Sequence, residues 1–440
     1  MRKTVLISII ILAVSAVVAN GQQDSTWTLE KCINYALDKN IQVRKGELAN
    51  QQNEVSSYQS RMNRLMSVNA SAGQNFNWSR SSASGTVSGL SGSNGSSFSV
   101  NSGVTIFNGF RLTNQIAQAD LNIEAGKTSL QATEESISLS ILNAYLQVLY
   151  AEEQVRNDEK QIEVSKSQLN LAAERLGTQL ISRSDYAQVK SQLASEELTL
   201  ATAKSQLAID RISLMQLMEL PVTENFIIAH PDLSGSINQN RTPDVKSIYD
   251  KALEIKPQIK NAAINKQIAA IDEKIARAGY YPTLSASAGV SSSYSNTGTE
   301  NYFSQLNNAI RPTAGFSLSI PIYQKNQVKT NVALAKIGYQ NAELSETDTR
   351  NQLRKSIEQA CQDVVSAQIK YEASLENYKA MQESSDLSNE KFIQGMVNST
   401  DYLVSKTNLI VAESQLLQSK FNLIFSYKIL DFYSGVPLTL

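Results

Sequence analysis

Four stretches of this chain alternate apolar and polar residues with a period of two, and most of the rest follows a helical period. From Val68 to Trp78 one face carries Val68, Ala70, Ala72, Gln74, Phe76 and Trp78, and the other Asn69, Ser71, Gly73, Asn75 and Asn77. Phe98, Val100, Val104 and Ile106 alternate in the same way with Ser97, Ser99, Asn101, Gly103 and Thr105. An apolar face backed by small polar groups over roughly 9 to 11 residues predicts a strand between lipid and water, although taken alone Val68 to Phe107 fits a soluble hairpin equally well. A second hairpin follows, with Leu284, Ala286, Ala288, Val290 and Tyr294 going out and Ala314, Phe316, Leu318, Ile320 and Ile322 returning. The loops Ser79 to Ser96 and Ser295 to Arg311 are rich in Ser, Gly and Asn, as the long outer loops of barrels are.

From Leu112 to Leu176 the pattern is amphipathic, with Ile116, Ile123, Leu130, Ile137, Ile141, Tyr145, Leu149 and Leu169 among Gln, Glu, Ser and Lys. All eight prolines lie at or after Pro221, so before Gly177 only Gly126 interrupts this run. A helix of that extent is roughly 100 Å long at 1.5 Å per residue. A matching helix is predicted from Val328 to about Ile393. Helices so far above the globular norm of about 11 or 12 residues imply coiled-coil-like packing.

The two halves are one unit written twice. Ala36-Leu37-Asp38 is echoed by Ala252-Leu253-Glu254, and Asn69-Ala70-Ser71-Ala72-Gly73 by Ser285-Ala286-Ser287-Ala288-Gly289. Asp185-Tyr186, Lys190, Leu193 and Glu197 return as Asp401-Tyr402, Lys406, Leu409 and Glu413, and Pro221 returns as Pro437. Every pair is 216 positions apart, for example 252 − 36 = 216. The domains are therefore a first repeat over 27–221, with its hairpin at 68–107 and a tip near 177–185, and a second over 244–440, with its hairpin at 284–322 and a tip near 395–401. The proline-rich linker 222–243 joins them. Each repeat contributes a hairpin, so a chain has four strands. Four cannot close a barrel whose smallest examples have about eight, and an open edge is forbidden in lipid. The barrel must be shared: two copies give eight strands and three give twelve.

Residues 1–21 read as a signal peptide, with Arg2 and Lys3, an apolar run from Val5 to Val18 and a small-residue exit at Ala19 to Gly21. Cys32 lies too far beyond it to accept a lipid. No later run reaches the 18 or so consecutive apolar residues of a membrane-spanning helix, so any crossing is made by strands. With 40 basic and 41 acidic residues the chain shows no electrostatic footprint for nucleic acid.

Enzyme chemistry finds little support. One histidine, His230, cannot supply a multi-histidine metal site, and beside Pro231 it reads as an exposed loop residue. Gly126-Lys127-Thr128 has the ending of a phosphate loop, but Leu121 stands where the first glycine belongs and the run lies within a helix. Cys32 and Cys361 read as buried small hydrophobes. No catalytic residue, cofactor or metal site is expected. The rivals to a channel are a coiled-coil stalk or adhesin, in which four interposed strands have no place.

Trp27-Thr28-Leu29-Glu30 with Ala36-Leu37 and Asn40, Tyr281-Pro282-Thr283-Leu284 entering the third strand, Ile320-Pro321-Ile322-Tyr323 leaving the fourth, and Gly395 followed by Asp401 give the chain a resemblance to the TolC family of outer-membrane ducts, over nearly all of 27–437. The resemblance implies a homotrimer of mixed α and β class. A twelve-stranded barrel in outer-membrane lipid continues as a helical coiled-coil barrel into the periplasm, where it meets an adaptor (membrane-fusion) protein and an inner-membrane pump. It implies efflux of small molecules, or protein secretion of type I through the same architecture. The linker would belong to a belt around the helices. Asp401 matches the first of two ring-forming acidic positions of the family's constriction, while the second is Val404 here. A basic residue that locks family gates corresponds to Val397. Asp185 is the repeat equivalent of Asp401, and capping of the returning helices is an equal reading for both. Adaptor-contact candidates are Gly395, Met396 and Gly177. Gly177 sits eight residues before Asp185 whereas Gly395 sits six before Asp401, which predicts a differently shaped first turn.

Overall fold

The computed structural model describes residues 26–80, 82–83, 86–87, 89–221, 226–232 and 243–440. The signal segment 1–21 and most of the linker fall outside them. The elements are α1 (Leu29–Lys39), α2 (Ile41–Met62), β1 (Ser67–Ser79), the short pair β2 (Ser82–Ala83) and β3 (Thr86–Val87), β4 (Ser91–Phe107), α3 (Arg111–Gly177) and α4 (Arg183–Leu217). Then come α5 (Val245–Ile255), α6 (Pro257–Arg277), β5 (Thr283–Ser295), α7 (Tyr302–Asn308), β6 (Arg311–Ser319), α8 (Gln327–Ile393) and α9 (Ser399–Tyr433). The long helices α3 and α8 have 67 residues each. The chain divides into two compact units, one of residues 1–44, 133–255 and 353–440, the other of 45–132 and 256–352.

The duplication is sharper in the backbone than in the sequence. Helix α3 begins at 111 and α8 at 327, α4 ends at 217 and α9 at 433, and β1 and β5 both have 13 residues, starting at 67 and 283. Each of these pairs is 216 apart. So are all the residues of positive φ among those described: Gly109 with Lys325, Phe110 with Asn326, Gln179 with Gly395, and Glu219 with Gly435.

In the unit of 45–132 and 256–352 the strands form one antiparallel sheet in the order β1-β4-β5-β6. Its register places Val104 beside Ala286 and Ala286 beside Phe316, while Ala70, Val100 and Val290 form another row. Residues of like character meet because the side-chain period is two, so one register aligns the apolar face of every strand. The opposite face is a field of small polar groups: Ser71 and Ser99 hydroxyls lie 2.8 Å apart and Asn101 donates to Ser99 at 3.0 Å, while on the apolar face Gln74 is satisfied by its cross-strand neighbour Ser96. The apolar side chains are not covered within the chain, for Val68, Trp78, Phe316 and Leu318 are all more than half exposed. Edges β1 and β6 have no partner strand among the described residues.

Three expected boundaries move. β6 ends at Ser319 and not at Ile322, because its ladder stops at Thr283 with Ser319 where β5 begins, which leaves Ile320 and Ile322 outside the strand. β4 starts at Ser91, inside the predicted loop, because Ser79 pairs with Ser91 and the ladder runs on past the end of the apolar alternation. The loop after β5 contains α7, capped by Asn301, which accepts from the Ser304 amide at 2.9 Å. The same unit packs α2, α3, α6 and α8 through polar contacts: Arg61 holds Asp120 at 2.8 Å, and Lys266 and Arg350 both reach Glu346, at 2.5 and 2.7 Å. Gly126 serves packing here, since a Cβ would stand 2.5 Å from Asn50 Oδ1.

The other unit holds the hydrophobic core. Leu29, Cys32 and Ala36 of α1 meet Ile141, Leu142, Tyr145 and Val148 of α3, with Leu214 and Met218 closing α4 and Phe421 and Ile424 contributed by α9. Each such large aliphatic side chain contributes about 1.5–3 kcal/mol. Burial pushes the Cys32 thiol up to about 12, so it stays a neutral packing group. Of the linker, Phe226 and Ile228 are buried, and Ile228 forms a parallel bridge with Trp27. The Tyr145 hydroxyl lies 2.7 Å from the Ala229 carbonyl oxygen and 3.0 Å from that of Trp27, tying the segment to α3. His230 is half-exposed, its Nε2 3.1 Å from Glu152.

Candidate functional site

The sequence points to the two helix-turn-helix tips, and both lie in the core-bearing unit. At the end of α8, Gly395 adopts φ +75°, its amide donating to Phe392 O at 3.1 Å and the Met396 amide to Lys391 O at 2.9 Å. This is a Schellman closure, which ends a helix by placing one residue in the left-handed region. At the end of α3 the Gln179 amide donates to Leu176 O at 3.1 Å and the Leu180 amide to Arg175 O at 2.8 Å, with Gln179 at φ +59°. The two turns thus have one geometry, correcting the expectation of a different first turn. Gly177 is the last residue of α3 and not the turn residue, so its displacement changes nothing in the backbone. Met396 is exposed, and open space surrounds both Gly177 and Gly395.

The N-caps are Ser182 and Asn398, each three residues before the predicted acid. Ser182 accepts from the Asp185 amide while the Asp185 carboxylate accepts from the Ser182 amide, a capping box that satisfies two amides at once. Asn398 accepts from the Asp401 amide at 2.8 Å. The two acids then part company. Asp185 also accepts from the Ser399 hydroxyl at 2.5 Å, linking the start of α4 to the start of α9. The Ser399 and Ser182 hydroxyls hold its carboxyl below the usual aspartate range. Asp401 is exposed, and its carboxylate has no hydrogen-bond or ion-pair partner among the described residues. Val404 is exposed one turn along, whereas Val397 lines the cleft between the tips.

Arg175 was not legible as a site residue. Its guanidinium donates to the Phe392 and Ile393 carbonyl oxygens at 3.0 and 2.5 Å and lies 5.6 Å from the Phe392 ring centre, which stacks on Tyr402 at 4.9 Å. A cation there satisfies orphan carbonyls and complements the negative end of the α8 dipole. Arg175, Asp185, Gln394, Val397 and Ser399 help line a cleft of about 710 Å³. The only sequence signal was a basic residue in the last turn of a long helix.

Above the tips α3, α4 and α9 are joined by a buried polar cluster. Lys406 Nζ lies 2.9 Å from Glu196 Oε1, and Ser165 bonds both, accepting from Lys406 and donating to Glu196. All three are less than a tenth exposed. Lys190, the repeat equivalent of Lys406, is exposed, so the cluster has no counterpart in the first repeat.

The model of the outer membrane efflux protein family matches residues 32–219 and again 248–435, once per repeat. A comparison with curated protein sequences returned no match. Among solved structures the chain is similar to the transmembrane channel CusC, at 18% identity and TM-score 0.79 over 92% of this chain and 93% of that one. It is also similar to VceC of Vibrio cholerae (16%, 0.73, 92% and 94%) and to the open-state outer membrane channel MtrE of Neisseria gonorrhoeae (18%, 0.74, 93% and 88%). With its model matched in both halves, the chain belongs to the outer membrane efflux protein family and is an efflux duct of the outer membrane.

Proposed function

We propose that the duct is a homotrimer, closed at its periplasmic end by the helix tips and opened by a periplasmic adaptor coupled to an inner-membrane pump. The observation that carries the assembly is the sheet itself: four strands, one uncovered apolar face, one polar face and two free edges. In lipid both edges must be paired, which sharing between copies achieves; the choice of three copies, giving twelve strands around a polar lumen, rests on the family to which the chain belongs. Small molecules from the pump pass through, and the driving energy is the pump's.

Asp401 is the constriction residue in this reading, because its carboxylate is left free while Asp185 is engaged in packing the two tips together. Three Asp401 carboxylates around one axis attract cations and hold multivalent ones. Gly177, Gly395 and Met396 present the turn surfaces to the adaptor. Planar-bilayer recording of the protein purified from outer membranes tests this: wild type conducts and is blocked by multivalent cations, and Asp401→Asn weakens the block. No conductance refutes the duct, and unchanged block removes Asp401 from the constriction.

A further inference from the structure

The sheet's two ends carry unlike chemistry. At one end β1 begins, β4 finishes, β5 begins and β6 finishes, as the pairs Ser67 with Gly103, Phe107 with Leu284 and Thr283 with Ser319 show. The flanking segments 61–67, 106–114, 274–284 and 319–331 hold seven Arg and Lys and no Asp or Glu. The loops at the opposite end, 80–90 and 296–310, hold one basic residue, Arg80, and one acid, Glu300.

The basic end is a contiguous surface. A Cβ on Gly109 would stand 2.7 Å from Tyr281 Cβ, and one on Gly279 would stand 3.0 Å from Val328, so the turn after β4, the turn before β5 and the turn after β6 touch in sequence. Arg61 and Arg277 are neutralised by Asp120 and Glu273. Arg64, Arg111, Lys325 and Lys329 are exposed and have no carboxylate partner among the described residues. Between them stand bare apolar and aromatic side chains: Ile322 is 95% exposed and Tyr323 78%, with Phe110 and Tyr281 also open. Lys325 and Asn326 turn the chain there with two successive positive φ angles, which sets the Lys325 and Lys329 segment directly beyond Ile322 and Tyr323.

Apolar side chains bracketed by unpaired cations, with carboxylates missing from all four segments, match a bilayer boundary in which acyl chains meet anionic phosphate. We propose that this collar binds anionic glycerophospholipid headgroups, and that Lys325 and Lys329 with Arg64 and Arg111 supply the charge that selects them over zwitterionic ones. The inference rests on the sheet lying in lipid, and goes beyond it by giving one leaflet a charge preference.

The test is tryptophan quenching by brominated lipids in the full-length protein reconstituted into vesicles. Native Trp78, exposed on the apolar face at the other end of the sheet, reports insertion as the quenching lost in Trp78→Phe, where Trp27 is the remaining tryptophan. An Ile322→Trp substitution in a Trp78→Phe background, read against Trp78→Phe alone, reports the collar, for Ile322 is 95% exposed within the chain. Expected is quenching of Trp78 by brominated phosphatidylcholine, and relative association of brominated phosphatidylglycerol at the collar several-fold above phosphatidylcholine. Lys325→Gln and Lys329→Gln should each lower that preference, and together should bring it close to parity. Equal association of both lipids at the collar, with Trp78 quenched in the protein that retains it, overturns the proposal and leaves the membrane reading intact. An unquenched Trp78 overturns both.

Discussion

Gln179 and Glu219 occupy the left-handed positions that Gly395 and Gly435 occupy 216 residues later, at φ +59° and +56°. The closures are alike, for the Leu220 amide reaches Met215 O at 2.9 Å and the Val436 amide reaches Asp431 O at 2.9 Å. A side chain in this region costs about 1–2 kcal/mol. Replacing it with glycine removes that cost but gives back about 0.4–1 kcal/mol through the freer unfolded chain. Gln179→Gly should therefore stabilise the first tip by roughly 0.5–1 kcal/mol, since the Gln179 side chain makes no hydrogen bond among the described residues. Gly395→Gln should destabilise the second tip by a similar amount, as open space surrounds Gly395 and only backbone strain counts. Gly435→Ala should cost more, because its Cβ would also stand 2.6 Å from Ile255 Cδ1. Hydrogen exchange of the Leu180 and Met396 amides, which close the two turns, reads the local opening free energy. Exchange at Leu180 should slow by about two- to fivefold in Gln179→Gly, and at Met396 should quicken comparably in Gly395→Gln. Faster exchange in Gln179→Gly, or no change in either variant, would refute the claim that the turns share one strained geometry.

The remaining expectations concern polar contacts. Lys406→Met leaves Glu196 buried with Ser165 and Gln192 but no cation, and should cost about 3–5 kcal/mol. Adding Glu196→Met should recover most of that, read as the unfolding midpoint of the detergent-solubilised protein; a single-variant loss near zero would contradict the burial argument. The hydroxyls of Ser399 and Ser182 lower the Asp185 pKa, so its contribution is present in full above the unfolded value and is lost as pH falls through the lowered one. Protection of the tip amides should accordingly decline below the ordinary aspartate value of 3.8, and Asp185→Asn should be less protected at neutral pH and flat across that window; a wild-type profile flat in acid would count against the Ser399 link.

Repeat, strands and long helices were all legible in the sequence because each rests on periodicity. The 216-residue offset survives substitution so long as length is kept, and α3 and α8 fall within a residue of their predicted starts. What was not legible depends on residues brought together from far along the chain or on backbone angles without a compositional mark. Gln179 and Glu219 look like ordinary helix formers, and only the structure shows them at positive φ, while the nearby glycine, Gly177, stays within the helix. Ser182 and Asn398 carry the usual cap chemistry and are the N-caps, three residues before Asp185 and Asp401, because the helices start earlier than the acids. Lys406 and Glu196 are 210 positions apart and each looks solvated in its own helix.

The duplicated backbone narrows where the two tips can differ. Helix ends, left-handed positions and caps coincide at one offset, so the difference between the tips is borne by side chains. The first repeat places Arg175 on the carbonyl end of the second repeat's α8, and Asp185 on the second repeat's Ser399. The second repeat returns Lys406 to Glu196 and Ser165 of the first. These contacts all run between repeats, and their 216-residue equivalents are Lys391, Asp401 and Lys190, which are all exposed. One set of equivalent positions is thus committed to holding the protomer together, while the other is left facing outward. An exposed acid such as Asp401 at the start of a helix can be met by a second protomer, a cation or an adaptor without first breaking an internal bond. Asp185 cannot. The same contacts fasten the two tips to each other, so in the proposed threefold assembly it is the uncommitted side chains of the second repeat, Asp401 first, that are left for contacts beyond the protomer.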